Sequence, residues 1–458
     1  MTLSTPPEPP PDPPDRASPA RATRELHEVL RAPGYLRLLL VAAVVGIPVS
    51  LAAFGFLTLE HAMQTGLWEH LPHEMGYSVA PWWWPLPLLT LAGLVVAGVA
   101  ARLPGAGGHL PVNGLGGPPI LPSALPGVVV AALASLSFGA VLGPEAPLMA
   151  IGSALALSAV RSAKRAAAPE LVAVLSAAGS AAAIAVVFGS PLVAAVLIIE
   201  GARLAGPRLT ALILPCLLAS GVGAVVFTGF GAWSGLATGA LALPSLPPSR
   251  SLRAGDFLWG MPLAALIGCG VVLLMTLGRR VADWTGPHPT RRIVMCAIVV
   301  GALTAGYAAS TGRSPEEAAL SGQSTLAALA ADPHSWSTSA LALLVLAKGL
   351  AWSVSLGSLR GGPVFPVLML GAAAALLCQD LPGFGALPGL AVGLAAAASA
   401  ALRLPLSATV LGVLLLGDQG TEQVPVLIVA SVVAFVVGEL TRARCAPHPP
   451  DSATAGPS

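Results

Sequence analysis

The chain has 458 residues, of which 55% are hydrophobic and only 10% charged, with a formal net charge of +2. A soluble domain carries about 25% charged residues, so this composition describes a polytopic membrane protein. It excludes the basic runs that nucleic-acid binding needs, and five scattered cysteines (Cys216, Cys269, Cys296, Cys378, Cys445) with no C-x-x-C pair argue against a disulfide framework or zinc site.

Residues 1–33 are polar and proline-rich, and no apolar core follows a basic start, so they read as a disordered tail rather than a signal peptide. Arg24 to Arg31 could close that tail with a short interfacial helix, and Arg24, Arg31 and Arg37 favour a cytoplasmic N-terminus. The first apolar stretch, 36–57, is long enough to cross the roughly 30 Å hydrocarbon core. Residues 60–78 read as a solvated loop, because His61, Glu69, His70, His73 and Glu74 follow no metal-binding spacing. Trp82, Trp83 and Trp84 mark the edge of the next span, which ends near Arg102. Further apolar runs lie near 124–142, 146–160, 171–187, 190–200, 209–230, 257–278 and 293–310. Others lie near 338–358, 363–379, 384–400, 405–417 and 424–438. Several are too short to cross alone, which predicts half-helices buried in protein. Arg161, Lys164 and Arg165 form one basic connection, and Arg279, Arg280, Arg291 and Arg292 another. Residues 311–336 read as a polar loop, and 441–458 as a short tail.

One motif occurs twice. Gly143-Pro144-Glu145-Ala146-Pro147 opens the run at 148–152, and Gly362-Pro363-Val364-Phe365-Pro366 opens the run at 367–371; both read G-P-x-x-P-x-x-x-x-G, 219 residues apart. Ser190-Pro191-Leu192 and Leu404-Pro405-Leu406 repeat in the same order. Paired Gly/Pro-interrupted short helices point to two structural repeats, about 80–230 and 257–440, meeting at a transporter's central site. Proline is tolerated in a helix's first turn, so Pro147 predicts a helix starting at or just after Glu145. Such a helix would aim unpaired N–H groups and its positive dipole end at an anion within the bilayer.

Three ionisable residues interrupt the apolar runs. Glu200 could cap a helix at an aqueous vestibule or carry protons, and Lys348 could snorkel or pair with a buried acid. Glu145 is the sharpest candidate. A carboxylate over an anion site competes with the anion for the same N–H groups, and protonation ends that competition. Such a glutamate can be both gate and proton acceptor.

At these residues the sequence resembles the CLC family of chloride channels and proton/chloride antiporters. Gly143 to Pro147 is similar to the family's G-x-E-x-P motif, with Glu145 at the gating glutamate; Gly362 to Pro366 is similar to G-x-F-x-P, and Gly107-Gly108-His109-Leu110-Pro111 to G-S-G-I-P. The segment from Phe188 to Glu200 resembles the family helix that ends at the cytoplasmic face. The resemblance covers residues 34–440. It implies an all-α polytopic membrane protein, a CLC-like inverted repeat of tilted and broken helices, forming a homodimer with one pore per subunit in a bacterial inner membrane. It further implies an anion site built mostly from backbone at Gly108, His109, Leu110, Ala146, Val364 and Phe365, with no cofactor, no metal and no nucleic acid.

The departures bear on mechanism. Gly108 stands where the family has a serine hydroxyl. Val364 stands at the aromatic position, with Phe365 shifted by one. No tyrosine follows Tyr307, and Gly201 replaces the internal glutamate that carries protons in the antiporters, leaving Glu200 as a substitute. The expected function is therefore anion transport, chloride by default, by a channel or by proton-coupled exchange. Alternatives are a fluoride- or nitrate-selective relative, or a secondary carrier for another solute, which would place more polar side chains at the centre. A membrane enzyme would need a nucleophile or metal constellation, and no H-E-x-x-H or paired intramembrane aspartates are present.

Overall fold

The computed structural model describes residues 27–28, 30–32, 34–115, 117–162, 169–202, 206–234, 243, 245–247 and 250–445. The tails expected at 1–33 and 441–458 lie largely outside the described residues, as do Lys164 and Arg165. Helices dominate. In chain order they are α1 (Tyr35–Thr65), α2 (Pro85–Arg102), α3 (Leu125–Ser137), α4 (Glu145–Ser162), α5 (Pro169–Val187), α6 (Pro191–Gly201) and α7 (Gly206–Ser234). The second half holds α8 (Ala254–Thr285), α9 (Pro289–Thr311), α10 (Gln323–Ala331), α11 (Thr338–Ser358), α12 (Val364–Leu376), α13 (Ala386–Leu402), α14 (Pro405–Leu415) and α15 (Gly420–Cys445).

Proline sits in the first turn of α2, α3, α6, α9 and α14, where its missing N–H costs no helical bond. Among the described residues eight helices (α1, α2, α5, α7, α8, α9, α11 and α15) are long and apolar enough to cross a membrane. α3, α4, α6, α12, α13 and α14 are also apolar but offer shorter apolar stretches. Of these, α12 and α13 are buried over almost their whole length, as irregular backbone at membrane depth requires.

The two halves pack alike. α4 packs on α5, α5 on α7 and α6 on α7; in the second half α12 packs on α13, α13 on α15 and α14 on α15. Gly152, the last glycine of the first motif, faces Gly179 so closely that a methyl group on either would overlap the other's carbonyl. Gly371, the last glycine of the second motif, meets Gly393 in the same way. Small residues let helix backbones approach in a membrane, where packing rather than hydrophobic force holds helices together. That contact explains why the repeated motif ends in glycine.

Several arginines collect at one end, while Arg250, Arg253 and Arg313 lie at the other. Arg102 closes α2, Arg279 and Arg291 flank the α8–α9 connection, and Arg442 closes α15 within electrostatic reach of Arg403 and Arg279. By the positive-inside rule this end is expected to face the cytoplasm.

At the opposite end the structure differs from the sequence reading. Residues 60–78 are mostly helical: α1 continues to Thr65, a π-helical turn covers Gly66–His70, and a short helix covers Leu71–Glu74. The many polar residues masked an inward face, on which Glu60 and Trp68 are 7% and 2% exposed. The loop expected at 311–336 contains α10, whose Leu326, Leu329 and Ala330 are buried.

Glu317 organises the turn before α10, accepting from Tyr307 Oη at 2.6 Å and from Arg313 Nε at 2.9 Å, while Arg313 lies 3.8 Å over the Trp336 ring. Its neighbour Glu316 lies outside the membrane-spanning helices. Burial first, then the charges of Glu69 and Glu317, push its carboxyl up from 4.5 to about 7. A raised folded-state pKa contributes stability below pH 4.5 that is lost as pH rises through about 7. Glu316→Gln should therefore gain stability relative to wild type across that window, read as the difference between thermal midpoints in detergent at successive pH values. A constant difference would refute the assignment.

Candidate functional site

The two motif loops meet at the centre of the fold. Gly143 N–H donates to Gly362 O at 2.8 Å, and Gly362 N–H returns the bond to Gly143 O at 2.5 Å. This isolated antiparallel bridge sets the first turns of α4 and α12 side by side. Glu145, in the first turn of α4, is completely buried. Its Oε1 accepts from Phe365 N–H in the first turn of α12 at 2.8 Å, and its Oε2 has no hydrogen-bond partner. A methyl group at Gly362 would overlap Oε2 and one at Gly143 would overlap Oε1, so both glycines are needed where the carboxylate sits. The carboxylate thus occupies an anion position at a helix N-terminus, where N–H groups and dipole favour negative charge.

A cavity of about 330 Å³ approaches this point, lined by Gly107 to Pro111, Ala146, Pro147 and Arg360 among others. It lies toward the basic end, since Val112, just beyond Pro111, packs near Gly278 beside Arg279. Gly108, His109, Leu110 and Ala146 are thereby brought together, whereas Val364 and Phe365 do not line the cavity. Two expected donors are engaged elsewhere: Gly108 N–H donates to Gly105 O at 2.8 Å, and His109 Nε2 lies 3.1 Å from Pro118 O. This segment forms only a 3₁₀ turn, Pro111–Asn113, so it contributes little dipole.

Glu200 does not line the cavity. It crosses to the second repeat and caps α14, accepting from Leu406 N at 2.9 Å and from Ser407 N and Oγ, both at 2.7 Å.

Lys348 is fully buried, and among the described residues no carboxylate forms an ion pair with it. Its Nζ donates to the backbone oxygens of Glu317, Ala318, Ala319 and Leu320 at 2.7–3.3 Å. Leu320 N–H in turn holds Gly139 O at 3.2 Å, which ties the lysine to the loop that carries Glu145.

Two further groups escaped the sequence reading. Glu60, on α1, accepts from Gln64 one turn on at 2.8 Å and lies close enough to Glu145 for the two charges to interact. Its place in a polar stretch hid it. Arg360, 7% exposed, lies two residues before the second motif; a lone arginine between an apolar run and Gly361-Gly362 was the available signal.

A model of the voltage gated chloride channel family matches residues 110–439. YfeO of Escherichia fergusonii, named for ion transport, is 31% identical over 360 residues, covering 76% of this chain and 81% of its own. YfeO of Escherichia coli matches with the same identity and coverage. Among solved structures, a slow cyanobacterial Cl-/H+ antiporter superposes with a TM-score of 0.72 at 20% identity, over 88% of this chain and 94% of the other. A CLC-type fluoride/proton antiporter does so with a TM-score of 0.69 at 19% identity, over 89% and 96%. At that identity the structural likeness speaks for the fold.

Proposed function

The chain belongs to the voltage gated chloride channel family, and from that premise we propose that it transports chloride across the membrane past a gate formed by Glu145. Membership makes small-anion transport its class of activity, and its helices make it a multi-pass membrane protein. One observation carries the finer reading: the Glu145 carboxylate accepts the Phe365 N–H that a permeating anion would use. In this conformation the protein supplies its own anion, and the path is closed. When the side chain leaves, by protonation or rotation, the backbone at Ala146, Val364 and Phe365 is free for chloride. The cavity with Gly108, His109 and Leu110 is the cytoplasmic approach.

The proton question turns on two observations. No carboxylate is among the residues described as lining the cavity, and Glu200 is held by three donors on α14, which favours a structural role for it. Both support an anion path without an internal proton relay. A second reading, proton-coupled exchange, is favoured by Glu145 Oε2, buried and unpartnered and so open to a proton, with Glu60 nearby. We extend the family's homodimer with one pore per subunit to this chain, to be checked by its mass in nanodiscs.

The test is efflux from proteoliposomes loaded in turn with chloride, fluoride and nitrate while external pH is recorded. Chloride efflux without proton movement supports the first reading, and chloride-driven proton movement the second. Efflux of fluoride or nitrate in preference to chloride would replace the substrate, and no efflux of any anion would sink the proposal.

A further inference from the structure

We propose that Arg360 is the counter-charge of a chloride-binding site in the cavity, on the cytoplasmic side of Glu145 and distinct from the position the carboxylate occupies. The guanidinium is 7% exposed and is pinned from two directions. Nε and Nη2 donate to Ala106 O at 3.3 and 2.9 Å, and Nη1 donates to Ser358 O and Leu359 O at 3.2 and 3.3 Å. The backbone is fixed as well, since Arg360 N–H donates to Ser135 Oγ at 3.1 Å. Gly107, at φ 79°, lets the Ala106 loop close over the side chain: a methyl group there would stand 2.9 Å from Ala131 Cβ and 3.5 Å from Arg360 Nε.

All of these partners are neutral. Among the described residues no carboxylate is paired with Arg360, so only backbone oxygens answer its buried charge, and an anion beside it would be stabilised by that charge. Arg360 and Gly361 line the same cavity as Ala146 and Gly108, and no acidic residue is described in that lining. At about 330 Å³ the cavity has room for an anion with part of its water shell. The arginine also answers the departures from the family pattern. Gly108 has no hydroxyl, its N–H is engaged by Gly105 O, and the His109 ring is engaged by Pro118 O. The charge that side-chain hydroxyls cannot supply here comes from Arg360.

The ligand class follows from counting donors. A guanidinium has five N–H groups, and four are directed at Ala106, Ser358 and Leu359. One Nη2 N–H remains. The fork that recognises a planar oxyanion in bidentate fashion is used by the protein itself, so the site offers a charge and a single donor. That suits a monatomic anion such as chloride.

The inference rests on the transport reading for the meaning of the site, but binding is measured separately. Calorimetric titration of potassium chloride into purified wild type, Arg360→Gln and Arg360→Lys in detergent should give affinity about tenfold weaker or more for the Gln variant and little change for the Lys variant. Unchanged affinity in a folded Arg360→Gln would overturn the assignment, as would loss of binding in a folded Arg360→Lys. Because the side chain also pins a loop, wild-type crystals grown in bromide provide a check that needs no variant. An anomalous peak beside Nη2 is expected, and its absence would overturn the proposal. Chloride bound at Arg360 with no efflux would refute the transport reading alone; efflux with no anion at Arg360 would refute this inference alone.

Discussion

Glu145→Gln should raise anion efflux at neutral pH by about tenfold, because a carboxylate at a helix N-terminus gains up to about 2 kcal/mol from the dipole and its N–H groups. The amide still fits the space and can still accept from Phe365 N–H, but it is neutral, so a passing anion displaces it more easily. Efflux should also lose its pH dependence, and any proton movement seen in wild type should cease. Gly362→Ala offers an independent route to the same state. Its methyl group would overlap Glu145 Oε2 while the bridge to Gly143 holds the backbone in place, so the carboxylate must leave its seat. Efflux in this variant should resemble Glu145→Gln, with a stability loss of about 1–3 kcal/mol from overpacking. Wild-type pH dependence of efflux in both variants would remove Glu145 from the gate.

Lys348→Met should be among the most destabilising single changes, by about 3 kcal/mol or more. The methionine fills much of the volume but leaves the backbone oxygens of Glu317, Ala318, Ala319 and Leu320 without the ammonium that satisfies them. Lys348→Arg should not rescue it. A methyl group at Gly322 would already stand 3.0 Å from Lys348 Cε, so a planar guanidinium has no room to enter. Because Leu320 N–H holds Gly139 O, the loop that carries Glu145 should loosen as well, and efflux should fall with stability. The check is the thermal midpoint in detergent beside efflux from proteoliposomes. A Met variant as stable as wild type would show that the carbonyl cluster finds water or other donors.

Much of the fold was legible because its causes are local. Apolar runs of sufficient length specify helices wherever the bilayer leaves no other way to satisfy the backbone; the run expected at 338–358 is α11 to the residue, and the helix predicted at Glu145 begins there. Where the reading failed, composition had been averaged over a stretch whose polar and apolar residues face opposite ways. Glu60 and Trp68 are inward-facing members of such a stretch, and α10 is another. Glu200 was open between a cap and a proton carrier. The helix it caps, α14, begins more than 200 residues later, and nothing near Glu200 in the chain announces it.

By itself the sequence determined that this is a helical membrane protein of two related halves, and that Glu145 opens a helix. Helix propensity, proline placement and hydropathy act over a few residues, so they can be read along the chain. Only the tertiary structure decided that Gly143 pairs with Gly362, that Glu145 takes the N–H of Phe365, that Arg360 reaches back to Ala106, and that Lys348 satisfies the turn at 317–320. Each of these contacts joins distant parts of the chain. Their geometry is set by how closely glycine-lined helices approach, a property of packed surfaces that no local run of residues carries.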